Sequence, residues 1–396
     1  MRTGFDWRAM AVLSTGHAAT DFAGGVLPAL LPFLHDKFDL SYTLSAVLIL
    51  ASSISSSVIQ PLFGLWSDRR GALWLLPTGV ALAGIGMALA ADAPSYWLIV
   101  VLVVVSGIGT AAYHPEGSKF AAYVSGAKRA TGMALFSIGG NLGYALGPVV
   151  ATALAVWLGL RGELLVAVPC LVVAAALAAL MPYLRGFAPS GRTTRHEVGE
   201  NRPRAMGVLV AMVGFRSLAW FGLITFVPLW DVAQGHSKSY GGRELAVMLF
   251  AGGIGTLALG PLADRFGNRA VLIATQAFVG PLVLLYIWVG GIPGTIALCV
   301  IAACVVGTFG VTMVMSQEYL PRSIGMASGL TIGLSIGLGG IAAVVLGAIA
   351  DGISLRTAFN VVAAAPVAGI LLASGLPRTE VGSPRISDEE ARWLPA

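Results

Sequence analysis

From Ala270 to Gln317 the chain runs 48 residues without a single Asp, Glu, Lys or Arg. A helix rising about 1.5 Å per residue crosses the roughly 30 Å hydrocarbon layer in about 20 residues. The run therefore holds two crossings, and Gly290-Gly291-Ile292-Pro293-Gly294 supplies the tight turn between them. A second charge-free run, 31 residues long, extends from Ala130 to Leu160. A helix on the surface of a soluble protein turns a polar face to water, so runs this long exclude an ordinary globular domain. Only 11% of the residues are charged and 57% are apolar, which extends that conclusion to the whole chain. Hydrocarbon offers nothing to an unpaired backbone amide, so the crossings must be helices.

The apolar segments read as twelve spans, at about 9–34, 43–66, 72–91, 95–118, 130–158, 163–184, 205–230, 244–263, 269–290, 294–317, 323–350 and 354–376. The fold class is thus an all-α polytopic membrane protein. Of the 24 Lys and Arg, 18 fall in the segments on the N-terminal side of the membrane. Five (Lys37, Arg161, Lys238, Arg243 and Arg356) fall on the other, and Arg216 lies inside a span. Basic loops stay in the cytoplasm, so both termini are expected there, and the net charge of +5 reflects topology and not a nucleic-acid surface. The polar stretch 185–204 divides an N-terminal six-helix bundle, 1–184, from a C-terminal one, 205–376; residues 377–396 form a cytoplasmic tail. The first apolar segment carries Asp21 at its middle, which does not fit a cleavable signal peptide. Cys170, Cys299 and Cys304 all sit in apolar spans, giving neither a disulfide frame nor a metal or cofactor pattern.

The halves repeat. Gly64-Leu65-Trp66-Ser67-Asp68-Arg69-Arg70-Gly71 returns 196 positions later as Gly260-Pro261-Leu262-Ala263-Asp264-Arg265-Phe266-Gly267, each copy after the second span of its half. Gly132-Met133-Ala134 likewise returns as Gly325-Met326-Ala327, after which Gly140 and Gly147 fall on Gly333 and Gly340. The G-x-x-x-D-R-x-G loop resembles that of the major facilitator superfamily. The resemblance implies two pseudo-symmetric six-helix bundles that rock about a midplane site, with Gly64, Asp68, Arg69, Gly71, Gly260, Asp264, Arg265 and Gly267 as gating loops. Arg269 takes the basic position after the second loop, whereas Ala72 and Leu73 stand there after the first.

Charge at the bilayer centre is costly and usually functional. His17 and Asp21, four residues apart in span one, project from one face, and Asp21 lies near the midplane. Arg216 lies at similar depth in span seven, the repeat partner of span one. An Asp21–Arg216 pair across a central cavity, sensitive to protonation of Asp21 and His17, is the sharpest expectation; a static ion pair locking the helices is the plain alternative. Tyr113-His114-Pro115-Glu116, with Lys119 beyond, falls near the inner end of span four. His114 and Glu116 are proton-relay candidates there, or else members of a solvated helix terminus with a local salt bridge. Gln317-Glu318 holds the corresponding place in span ten.

His17 with Asp21, the Tyr113-His114-Pro115-Glu116 segment, Phe215-Arg216-Ser217, and the run from Gly132 through Gly140-Asn141 to Gly147-Pro148 together resemble the fosmidomycin-resistance branch of the superfamily. That branch implies a proton-driven exporter of small drugs, phosphonates or other organic anions, monomeric, in the inner membrane of a bacterium. Protons, small-molecule substrate and membrane lipid would be its partners. Arg216, Phe22, Tyr113, Phe136, Asn141, Trp220 and Glu318 are the substrate-binding candidates. Gly139, Gly143 and Gly147, followed by Pro148, recur every four residues in span five, a stripe that permits close helix packing. Its G-x-x-x-G-P ending resembles an antiporter signature, with Ala134 where the longer form has Gly. Symport of an organic anion is the alternative. No P-loop, H-E-x-x-H or Ser-His-Asp grouping proposes an ATP-driven pump or an enzyme.

Overall fold

The computed structural model describes residues 4–70, 72–126, 128–187, 200–323, 326–327 and 330–377. Gly71, Gly325, the interior of the 185–204 linker and nearly all of the tail lie outside the described residues, as do the side chains of Asp68 and Arg69. The elements are α1 (Trp7–Phe38), α2 (Tyr42–Ser57), α3 (Gln60–Arg70), α4 (Leu75–Asp92), α5 (Tyr96–Val124), α6 (Arg129–Leu158), α7 (Ala167–Arg185), α8 (Pro203–Ala233), α9 (Lys238–Phe266), α10 (Asn268–Val289), α11 (Gly291–Tyr319), α12 (Ser335–Gly352) and α13 (Leu355–Ser374). Eleven spans among the described residues are long and apolar enough to cross a membrane, α2 and α3 counting as one. The remaining crossing is α1, whose 32 residues carry His17 and Asp21 in mid-helix.

Two spans depart from the continuous helices expected of them, for backbone reasons. Span two breaks at Val58–Ile59. The hydroxyls of Ser53, Ser55 and Ser56 bond back to carbonyls three or four residues earlier, which bends a helix. Pro61 has no amide to offer the carbonyl of Ser57, so the helix restarts instead of continuing. Span eleven enters α12 through a short π-helical turn, Leu330–Leu334. Pro115, by contrast, does not end span four. It lies inside α5, which runs on to Val124.

Within the first half α1 packs lengthwise on α6, α4 on α5 and α7; within the second, α9 lies on α11 and α10 on both α11 and α13. The α1–α6 seam is made of glycine. A Cβ on Gly139 would lie 3.1 Å from the backbone carbon of Ser14, one on Gly143 2.7 Å from the Cα of Ala18, and one on Gly147 2.7 Å from the carbonyl carbon of Gly25. Each glycine lets one backbone touch the other one turn further along.

The halves meet where α12 crosses α2 and where α6 crosses α9. Polar links between them lie at the end away from the 185–204 linker. Asp351 at the end of α12 accepts from the amides of Tyr42 (2.8 Å) and Thr43 (2.9 Å) and from the Thr43 hydroxyl (2.6 Å). A carboxylate from one half thus caps the helix N-terminus of the other. Beside it, Lys238 pairs with Asp36 at 2.5 Å. Asp351→Ala should cost this closed arrangement about 1 kcal/mol, the worth of a helix cap, or roughly a fivefold shift toward separation. Spin labels at positions 94 and 236, in a background lacking the three native cysteines, should report it as a larger population of long distances. An unchanged distance distribution would discard the latch.

Candidate functional site

α1 sets the site. His17 and Asp21 lie one turn apart on the same face, and His17 Nε2 approaches Asp21 Oδ2 at 3.2 Å. From α5, His114 Nε2 reaches the other carboxylate oxygen at 3.0 Å. From α6, the carbonyl of Phe136 accepts from His17 Nδ1 at 2.8 Å, and the Phe136 ring stacks on the imidazole at 4.1 Å. Gly140 completes the wall: a Cβ there would sit 2.5 Å from His17 Nε2 and 2.6 Å from Asp21 Oδ2. Three helices of one half therefore converge on a single, largely buried carboxylate.

The hydrogen bonds constrain the charge. A carbonyl oxygen can only accept, so His17 Nδ1 carries a hydrogen. In a neutral ring Nε2 would then present a lone pair to a carboxylate oxygen, two acceptors face to face. The contact is attractive only with a proton between Nε2 and Oδ2, carried by either side chain, or with another cation between the two atoms. With that proton the pair carries no net charge, which lowers the cost of burying an acidic group.

Arg216 is elsewhere. The expected Asp21–Arg216 ion pair is not formed: Arg216, 5% exposed on α8, donates through Nη1 to the hydroxyls of Thr308 and Thr312 on α11, at 3.3 Å each. The ring of Phe309 lies 5.8 Å from the guanidinium carbon. The two histidines stand against Asp21 where Arg216 was expected. No carboxylate among the described residues pairs with the guanidinium, a buried cation without a counter-ion. Thr308 and Thr312, four residues apart within span ten, were a visible signal that sequence reasoning passed over.

The His-Pro-Glu segment divides. Residues two apart on a helix face away from each other, so His114 turns to Asp21 while Glu116 turns to α3. Glu116 is 1% exposed; it accepts from the Ser67 hydroxyl and pairs with Lys119 at 2.7 Å. It is therefore no solvated helix end but a tie between span four and the first repeated loop. Tyr113 is wholly buried, its hydroxyl bonded to the Leu13 carbonyl, so it packs α5 on α1 and offers no surface to a substrate in this arrangement. Phe22 is likewise a core residue, at 9% exposure. Asn141 lies against Gly253 where α6 meets α9, Trp220 is half-buried one turn beyond Arg216, and Glu318 is exposed at the end of α11.

In the second loop Gly267 ends α9 with φ of 87°, a left-handed conformation that a side chain would strain. Asp264 and Arg265 are exposed. Arg269 donates to the carbonyls of Ser374 and Leu376, so this basic position holds the end of the last helix.

The sequence profile of the Major Facilitator Superfamily matches residues 13–344. The chain belongs to that superfamily. As a facilitator it is 31% identical over 381 residues to the uncharacterized MFS-type transporter YfnC of Bacillus subtilis (strain 168), covering 91% of each chain. It is 28% identical over 382 residues to the fosmidomycin resistance protein of Escherichia coli (strain K12), again over 91% of each. Among solved structures, a bacterial homologue of the human lysosomal transporter Spinster, inward-facing and occupied, superposes with a TM-score of 0.75 at 16% identity, covering 93% of this chain and 96% of that one. The architecture is accordingly that of a facilitator, twelve spans in two related bundles, and the chain is a multi-pass membrane transporter and not an enzyme.

Proposed function

We propose that this facilitator is a proton-coupled antiporter that exports a small phosphonate-like or other organic anion by alternating access. The observation that carries the reading is the contact between His17 and Asp21, whose geometry calls for a bound proton in the middle of a membrane helix. A ligand shifts a conformational equilibrium only through its different affinity for the two states, and a buried carboxylate clasped by three helices is suited to such a difference. Arg216, with no carboxylate partner among the described residues, is the group we assign to the substrate's anionic oxygens, helped by Thr308 and Thr312. The name of the Escherichia coli relative and the Gly143-x-x-x-Gly147-Pro148 ending support export.

With the linker end in the cytoplasm, as the basic residues suggest, the Asp351 latch closes the outer side and the described arrangement faces inward. Asp21 would take its proton from the outer side in the alternate state and release it inside, while substrate moves out. Direction is the test. In proteoliposomes acidified inside, antiport accumulates substrate as protons leave, and symport empties vesicles preloaded with it. Candidate substrates, phosphonates first, should enter such vesicles and leave when the gradient is collapsed; loss of preloaded substrate along with the protons would establish symport instead.

A further inference from the structure

We infer that His17, Asp21 and His114 form a binding site for one borderline divalent metal ion of the Zn²⁺ or Co²⁺ kind. The ligand atoms of the three side chains lie within 4.8 Å of one another. The two imidazole nitrogens approach different oxygens of the Asp21 carboxylate, His17 Nε2 to Oδ2 at 3.2 Å and His114 Nε2 to Oδ1 at 3.0 Å, each close to the roughly 3.0–3.4 Å between neighbouring ligands of an ion held at about 2.1 Å, so the carboxylate can bind through both oxygens. Imidazole nitrogen selects zinc, cobalt, nickel or copper over magnesium and calcium, which prefer oxygen alone. Two nitrogens and one carboxylate leave further positions for water or an incoming ligand.

Three features separate this cluster from a chance meeting of side chains. His17 donates Nδ1–H to a backbone carbonyl at 2.8 Å, the outer contact that fixes the tautomer of a metal-bound histidine and aims Nε2 at the ion. That Nε2 faces Asp21 Oδ2 across a gap that requires a cation, and a metal ion meets the requirement as a proton does. Gly140 brings no side chain of its own to the place beside His17 Nε2 and Asp21 Oδ2, where a Cβ would collide with both. Neither the separation of 93 positions between Asp21 and His114 nor their separate helices suggest a ligand set in the sequence.

The inference goes beyond proton coupling and does not depend on it, since metal can bind whether or not Asp21 carries protons during transport. The measurement is Co²⁺ titration of the purified, untagged full-length protein in detergent, followed by visible absorption and equilibrium dialysis. One Co²⁺ per chain is expected, displaced by Zn²⁺ and not by Mg²⁺. His17→Gln and His114→Gln should each weaken it by at least about tenfold, while His236→Ala, at an exposed histidine, leaves it unchanged. Absence of stoichiometric Co²⁺ binding by the unmodified protein overturns the site, as does binding that survives both glutamine substitutions. The unmodified protein decides the first of these even if a variant fails to fold. Failure of the coupling assignment is separate: it would appear as normal pH-driven flux in a protein lacking the Asp21 carboxylate.

Discussion

Asp21→Asn should lower pH-driven flux by roughly a hundredfold or more, to the rate of protein-free vesicles, because it removes the group whose occupancy distinguishes the two states. The folded protein should survive the change. An amide of the same shape can donate to the lone pair of His17 Nε2 and accept from His114, so the contacts at 3.2 Å and 3.0 Å persist without the extra proton. Monodisperse elution and an unaltered melting temperature would show that the scaffold is intact. Substrate exchange in the absence of a pH gradient should continue, since Arg216 and its threonines are untouched. Flux that still follows the gradient in this variant would remove Asp21 from the coupling step.

Gly143→Leu should be the most damaging single change to the fold. A Cβ at this position would meet the carbonyl carbon of Ala18 at 2.6 Å and its Cα at 2.7 Å, backbone atoms that cannot rotate away. Retreat of α1 would give up the same close approach that Gly139 and Gly147 make one turn to either side. Overpacking a tight contact costs about 1–3 kcal/mol even where side chains can yield, so about 3 kcal/mol or more is expected where they cannot. The measured outcome would be a melting temperature lowered by several degrees and extensive aggregation in detergent. Gly207, exposed on α8 with nothing within 4 Å of its Cβ position, is the control. There a change to alanine should be neutral or slightly stabilising, as in any helix interior. Equal melting of Gly143→Leu and the unmodified protein would show that the seam is looser than its geometry implies.

The bilayer is what made the fold legible. Hydrocarbon forbids charge, so the runs 130–160 and 270–317 announce helices before any propensity is weighed. Interruptions were harder to see because they arise from backbone bonding. The break after Ser57 depends on hydroxyls competing for carbonyls together with Pro61, and no hydropathy pattern records that competition. For the site, sequence spacing set expected heights and misjudged the partners. Depth follows from rise per residue, but the direction a side chain takes around its helix decides whom it meets. Asp21 and Arg216 were expected at comparable depth, yet Asp21 turns to α5 and α6 and Arg216 to α11. The separation of His114 from Glu116 was readable in principle from the i,i+2 rule; the Asp351 cap on α2, 308 residues distant, was not.

The ionisable cluster belongs wholly to α1, α5 and α6, and the lone guanidinium wholly to α8 and α11. Under the roles proposed for them, this is a division of labour between an engine and a cargo hold built on separate sister bundles. Such a machine can change what it carries through substitutions confined to residues 205–376, leaving its power supply untouched. Joining the first half to the second half of a related transporter would therefore be expected to give a chimera that keeps its drive and exchanges its freight.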